Sequence, residues 1–132
     1  MTRFDAADPD ARVELVVDAI TAHRERASGF AEFTTDPAPD DDELGHGAPW
    51  VQFFDGTVAV DCTDEELDRL KSLCGEFPAA TIDELVSPEE AEGTHARVTI
   101  RTDDERVAQF VDRVFTDAFE RPEDYRLWVA AV

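Results

Sequence analysis

Residues 95–132, HARVTIRTDDERVAQFVDRVFTDAFERPEDYRLWVAAV, carry the clearest structural pattern in the chain. The first part of the stretch alternates small or apolar side chains with polar ones, which is typical of a half-buried strand. Thr102, followed by Glu105, fits a capping box, and apolar residues at helical spacing then predict a helix to about Phe119. Pro122 ends this helix, and residues 125–132 predict another strand. Strand, helix and strand in this order predict a βαβ unit with a right-handed crossover.

A β-hairpin is predicted upstream, where two alternating runs are joined by Asp55-Gly56. Asp-Gly is a preferred dipeptide of two-residue hairpin turns, and such a turn fixes the register of the two strands. The register assigns one face to the core: Val51, Phe53, Val58, Val60 and Cys62. The opposite face then carries Trp50, Gln52, Phe54, Thr57, Ala59 and Asp61.

The remaining elements follow from helix caps and breakers. Asp8-Pro9 predicts the start of a helix over residues 9–26, and residues 30–35 predict a strand. Thr63 with Glu66 predicts a capped second helix that ends near Gly75. Residues 36–49 form an acidic loop rich in proline and glycine, and residues 79–86 fit either a short strand or a helical turn.

These elements predict one α+β domain over residues 1–132, in the order α-β-β-β-α-(short element)-β-α-β. We expect a mixed, mainly antiparallel sheet of about five strands with three helices on one face, ending in the βαβ unit. If residues 79–86 form a strand, the last two-thirds of the chain has the βαββαβ order of a ferredoxin-like fold.

The composition is strongly acidic. Twelve basic and 32 acidic side chains give a formal net charge of −20, and Lys71 is the only lysine. Such a charge destabilises a compact state by self-repulsion, a property that halophilic proteins exploit. Disorder is the competing explanation of a high charge, but nine Phe, two Trp and clear amphipathic patterns argue against it.

Two segments carry a resemblance to a known family: Cys62-Thr-Asp-Glu-Glu-Leu-Asp-Arg-Leu-Lys71, and Ser87-Pro-Glu-Glu-Ala-Glu-Gly93 followed by the predicted βαβ unit. Together with the acidic composition and the Val- and Ala-rich apolar set, they resemble a family of small uncharacterised haloarchaeal proteins. The resemblance implies a high-salt cytoplasm and no particular activity. At molar salt the screening length falls to about 3 Å, so the internal repulsion nearly vanishes.

Residues 1–10 are polar and acidic, and no apolar run approaches the roughly 20 residues of a membrane helix. We therefore expect a soluble cytoplasmic protein with no membrane partner. Cys62 and Cys74 flank a predicted helix about 16 Å long, too far apart for a disulfide between them.

No standard catalytic, nucleotide or paired-cysteine motif occurs, so no cofactor is expected. Asp40, Asp41, Asp42 and Glu43, with His46, could hold a hard divalent cation on the acidic loop. Their spacing matches no defined site, and a solvated acidic loop explains them better. His95 could take part in acid–base chemistry with nearby carboxylates, but no second catalytic group is identifiable.

The most informative surface is the sheet face away from the predicted helices. The residues predicted to bind a partner there are Trp50, Phe54, Arg97, Arg101, Arg126 and Trp128. Exposed aromatic residues with arginine are typical of protein interfaces, and single-stranded nucleic-acid platforms use a similar combination. The alternative is that these arginines simply pair across strands with Asp61 and Glu32.

Function is predicted on this basis as protein interaction or self-association, with a homodimer or another protein as partner, rather than as an enzyme. The second hypothesis is a small-ligand-binding protein or enzyme with a pocket near the acidic loop and His95. The third is single-stranded nucleic-acid binding, which the charge of −20 disfavours.

Overall fold

The computed structural model of the chain describes residues 4–36, 48–87 and 93–132. Its elements are β1 (Asp5–Ala6), α1 (Pro9–Arg26), β2 (Ala31–Thr35), β3 (Trp50–Phe54), β4 (Thr57–Cys62), α2 (Asp64–Glu76), β5 (Ala80–Val86), β6 (Thr94–Ile100), α3 (Asp104–Arg113), a π-helical turn (Val114–Ala118) and β7 (Leu127–Ala131). The described residues therefore form three α-helices and one seven-stranded sheet, and the predicted α+β class is confirmed.

The sheet has the order β1-β7-β2-β3-β4-β6-β5, and every neighbouring pair is antiparallel. The sheet was predicted to be mixed and to have about five strands, whereas the described residues form seven strands in which all neighbouring pairs are antiparallel. β1 has only two residues, too few for an alternating pattern to show. The ambiguous residues 79–86 form strand β5 from Ala80 onward, at one edge of the sheet.

The predicted βαβ unit needs a larger correction. β6 and β7 point in the same direction, but β4, β3 and β2 lie between them, so α3 connects distant strands. The order β4-α2-β5-β6-α3-β7 does follow the ferredoxin-like sequence of elements, and β6 lies between β4 and β5 as that fold requires. The fold departs at β7, because the β2–β3 pair occupies the edge of β4 where the last strand would otherwise pair.

The hairpin is confirmed in its register. Val51 lies opposite Val60, and Phe53 lies opposite Val58. The same alternation continues into the adjacent strands, where Ala31 is opposite Phe53 and Val58 is opposite Val98. These side chains form one buried core with apolar residues of all three helices, so the helices cover a single face of the sheet.

The helix caps explain where each helix begins. The Asp8 side chain accepts from the backbone N–H of Ala11, and Thr63 and Glu66 form the predicted capping box. α3 is capped by Asp103 rather than by Thr102, because the Asp103 carboxylate accepts from the backbone N–H of Arg106 at 2.8 Å. α2 continues past Gly75 to Glu76.

Both cysteines are free thiols, as their spacing predicts. Burial raises the pKa of the Cys62 thiol to about 12, and burial also raises the pKa of Cys74. Burial therefore favours the protonated form of both thiols. No helix in the described ranges is long and apolar enough to cross a membrane.

Candidate protein-interaction surface

The sheet has one face that no helix of the described ranges covers, which we call the outer face. It is the face opposite the helices, and its side chains alternate along each strand with those of the buried core. Because all neighbouring strands are antiparallel and in defined register, outer-face residues align in rows that run across the strands.

The first row contains both tryptophans. Thr34 on β2 lies opposite Trp128 of β7 on one side and opposite Trp50 of β3 on the other. The two tryptophans are therefore two strand spacings apart, about 10 Å. The row extends to Asp5 beyond Trp128 at one edge and to His95 and Val86 toward the other.

Two polar groups of the first row, on Trp128 and Thr34, form hydrogen bonds. The Trp128 Nε1–H donates to an Asp36 carboxylate oxygen at 2.9 Å, and the Thr34 hydroxyl donates to the carbonyl of Pro49 at 2.8 Å. The Trp128 side chain is still 37% exposed. A tryptophan whose N–H is satisfied but whose ring remains partly in water is suited to contact another molecule through the ring.

The ring of His95 lies close to that of Trp50. The two ring centroids are 6.3 Å apart, and His95 Nδ1 lies 2.8 Å from an Asp61 carboxylate oxygen. The side chains of His95 and Asp61 are 29% and 60% exposed. An imidazole–carboxylate pair can move protons, but among the described residues no nucleophile or third polar group contacts His95.

The second row has Ala59 and Arg97 near its centre. Glu32, Gln52, Ala59, Arg97 and Glu84 are successive partners across β2, β3, β4, β6 and β5. Ala59 is only 2% exposed although no described helix covers this face, because the longer Gln52 and Arg97 side chains flank it.

The second row contains a hydrogen bond from an uncharged amide and one long, exposed ion pair. The Gln52 amide donates to one Glu32 oxygen at 2.9 Å. An Arg97 Nη1 lies 3.7 Å from a Glu84 oxygen, and about half of each of these two side chains is exposed. Cross-strand ion pairing thus occurs, but with Glu84 rather than with the expected Asp61 or Glu32.

The other predicted partner-binding residues lie away from this centre. Arg126 precedes β7 and pairs with Asp5 near one edge, whereas Arg101 follows β6 at the opposite end of the strands. From strand spacing and rise the two are about 30 Å apart. Phe54 lies opposite Thr57, near the end of the sheet where Arg101 lies. The six predicted residues therefore share a face but do not form one compact site; Trp50, Trp128 and Arg97 form its centre.

The described residues of the outer face carry both acidic and basic side chains. The described part of this face has three arginines, Arg97, Arg101 and Arg126. It has five carboxylates: Asp5, Glu32, Asp36, Asp61 and Glu84. The difference is two negative charges, in a chain whose formal net charge is −20.

The candidate metal ligands Asp40, Asp41, Asp42 and His46 lie outside the described residues. Within the described ranges, no group of three His, Cys, Asp or Glu side chains is arranged to hold a metal ion. A surface depression in the described part lies elsewhere, between α2 and the π-helical turn, and Arg69, Glu76 and Asp117 contribute to its lining.

Sequence reasoning named Glu32 only as a pairing partner of the arginines, and it missed Thr34 and Glu84 as members of these rows. The alternation in β2 carries a signal for Glu32 and Thr34, since Ala31 and Phe33 are core residues and their neighbours must face outward. Glu84 had no such signal, because the register of β5 shifts between Ile82 and Glu84.

Comparison with known proteins gives one match. Residues 1–132 match the model of a family described as "Family of unknown function (DUF7975)". No curated protein and no solved structure matches the chain.

Proposed function

The chain belongs to DUF7975, a family of unknown function, and we propose that it is a protein-interaction module that binds through the centre of its outer face. The observation that carries the proposal is the first row, in which Trp50 and Trp128 flank Thr34 on a face that no described helix covers. Tryptophan and arginine are enriched among the residues that dominate binding energy at protein interfaces.

The charge distribution supports a protein partner over a nucleic acid. Affinity for phosphate backbones comes from unpaired basic side chains and falls steeply with salt. Arg126 is paired with Asp5, and Arg97 lies close to Glu84. The outer face carries a small negative excess rather than a positive field, so it offers little to a polyanion.

An acid–base or ligand site at His95 is the competing hypothesis, and the 2.8 Å contact between His95 and Asp61 favours it. Both side chains are substantially exposed, so water competes for every hydrogen bond that a ligand would form there. The acidic-loop part of the same hypothesis concerns residues that lie outside the described ranges. We therefore rank it second.

The setting we propose is a high-salt cytoplasm, as in haloarchaea. The support is the formal net charge of −20 and the single lysine among twelve basic residues. Concentrated salt screens the repulsion between exposed carboxylates, and it leaves contacts between apolar rings intact. An interface built around tryptophan rings suits such a medium better than one whose ion pairs remain exposed to water.

Site-specific photo-crosslinking tests the proposal and captures the partner whatever its identity. A photoreactive phenylalanine replaces Thr99, which lies on the outer face opposite Thr57, and a control protein carries it at the exposed helix residue Glu105. Each is irradiated in concentrated extract of cells that naturally make the protein. We expect a protein adduct from the Thr99 position that disappears when Trp50 and Trp128 are both replaced by alanine. Equal adducts from both positions, or an adduct that survives the double replacement, would contradict the proposal.

A further inference from the structure

The second row of the outer face has a charge pattern that can complement its own copy. Glu32 lies two strands from Arg97, with Gln52 and Ala59 between them. A line that runs parallel to the strands between β3 and β4 is therefore equally distant from Glu32 and Arg97. A two-fold rotation about this line brings Glu32 of each copy over Arg97 of the other, which forms two identical ion pairs.

We infer that the protein bound by the outer face is a second copy of the chain, docked face to face about this axis. The inference rests on the proposed function and adds the identity of the partner and the register of the contact. With this axis, the strands of one copy run close to the direction of the strands of the other. The angle between them lies within the range, up to about 30°, at which aligned sheets pack.

The first row is compatible with the same axis. It places Trp128 of one copy over Val86 of the other, and Thr34 over His95. Trp128 and Val86 are exposed large apolar side chains in the isolated chain, 37% and 43% accessible, so their contact removes apolar surface from water. No like charges meet in either row.

Other two-fold arrangements are less favourable. An axis across the strands through the second row would place Glu32 on Glu32 and Arg97 on Arg97. An axis that follows β4 itself would place Glu32 over Glu84 of the other copy, again a contact between like charges. Of these three axes, only the one between β3 and β4 places Glu32 opposite Arg97.

The side chains of Arg97 and Glu32 can each form further hydrogen bonds. Arg97 has five N–H donors, and its contact with Glu84 at 3.7 Å exceeds hydrogen-bond length. Glu32 accepts one hydrogen bond, from Gln52 to its Oε1, and no other partner of Glu32 occurs in the described ranges. A bidentate pair with an arginine of the second copy therefore costs no established strong bond.

The area of the outer face indicates which class of interface the proposed dimer belongs to. Six strands of about five residues cover roughly 500 Å² per copy, or about 1,000 Å² for the pair, from the usual strand spacing and rise. This is at the lower end of specific interfaces. We therefore expect a reversible dimer.

Charge reversal tests the register directly. Glu32→Arg and Arg97→Glu each create two like-charge contacts in the proposed dimer, so each single variant should dimerise at least about tenfold more weakly than the unmodified chain. Mixed in equal amounts, the two variants form a heterodimer in which both contacts are between opposite charges, and affinity should return. Sedimentation velocity in molar KCl measures all four samples, and circular dichroism checks that each variant is folded.

Glu105→Gln is the control, since it removes one carboxylate from an exposed position on α3, away from the outer face, and should leave dimerisation unchanged. A dimer that the mixture does not restore would overturn the proposed register while the proposed function remains. A chain that stays monomeric up to millimolar concentration would overturn the homodimer. In that case, a Trp-dependent crosslink from Thr99 to a different protein would still support the proposed function, and its absence would remove both.

Discussion

Arg12 of α1 and Asp112 of α3 form an ion pair inside the core, with Arg12 Nε and Asp112 Oδ1 2.8 Å apart. The Arg12 side chain is 1% exposed. Its Nη1 also donates to the carbonyl oxygens of Ala7 and Tyr125, and the Tyr125 hydroxyl donates to Asp112. The network joins the start of α1, the C-terminal end of α3 and the segment that leads into β7. It determines how two of the helices lie under the sheet.

Replacement of Asp112 by alanine should be strongly destabilising, because it leaves the Arg12 charge buried and unpaired. We expect a loss of about 3–5 kcal/mol in the free energy of unfolding. Denaturant-induced unfolding in molar KCl measures it. The matched control is Asp104→Ala, which removes the exposed ion pair with Arg24 and should cost less than about 1 kcal/mol. Similar losses in the two variants would contradict the structural role of the network.

The buried hydroxyl of Tyr125 predicts that the stability of the fold changes at alkaline pH. Burial, followed by the nearby Asp112 carboxylate, raises the pKa of Tyr125 above its ordinary value. The folded chain therefore keeps this proton where the unfolded chain, with a tyrosine pKa of about 10, releases it. The stabilisation is complete below about pH 10 and falls as the pH rises above that value.

Tyr125 is the only tyrosine in the chain, so tyrosinate absorbance reports on it alone. We expect no ionisation near pH 10 while the protein remains folded, and a sharp appearance of tyrosinate together with loss of the far-ultraviolet circular dichroism signal. A gradual titration near pH 10 with the fold intact would contradict the burial of this hydroxyl. Tyr125→Phe should lose the part of the alkaline decline in stability that comes from this group.

Much of the fold was predictable because it depends on local chemistry. Pro9 and Asp8 fix the start of α1, and Asp55-Gly56 fixes both the hairpin and its register. The alternating faces of β3 and β4 follow from that register alone. The placement of Trp50 on the face away from the helices therefore follows from the amino-acid sequence.

The errors concern contacts between distant parts of the chain. The order of elements in residues 95–132 cannot reveal that three strands separate β6 from β7, because that depends on where the β2–β3 pair lies. β1 has too few residues for the alternation of apolar and polar side chains to be recognised in the sequence. Arg12 is placed on the buried side of α1 by its spacing from Val16, but its partner is 100 residues away. The separation of Arg101 from Arg126 likewise depends on strand order rather than on local pattern.

Gly93 should be intolerant of substitution. Its φ of +107° is disfavoured for other residues, and a Cβ atom built there would be 2.8 Å from the carbonyl oxygen of Cys62. Gly93→Ala should reduce the free energy of unfolding by roughly 1–3 kcal/mol, because the neighbouring backbone must move. The control is Gly75→Ala in α2, where no atom lies within 4 Å of the added Cβ. That change should stabilise the protein by roughly 0.5–1 kcal/mol, and equal effects of the two substitutions would contradict the close approach of Gly93 to Cys62.

Salt should strengthen the fold. The screening length is about 10 Å at 0.1 M salt and about 3 Å at 1 M, so repulsion among the surplus carboxylates grows as salt is removed. We expect cooperative thermal unfolding in molar KCl and a midpoint that falls steadily on dilution, with loss of the folded state in dilute buffer. A chain that remains folded and cooperative without added salt would contradict the proposed high-salt setting.

The most direct test of the outer face as a protein-binding surface is sedimentation in molar KCl of the unmodified chain and of a Trp50→Ala, Trp128→Ala double variant. Phe4→Ala serves as control, because Phe4 is 56% exposed but is not in the two rows. We predict that the unmodified chain and the Phe4 variant associate alike, and that association of the double variant is at least about tenfold weaker, since central tryptophans typically contribute more than about 1 kcal/mol each. If all three proteins sediment identically, the tryptophan row does not mediate self-association, and the proposed homodimer is contradicted.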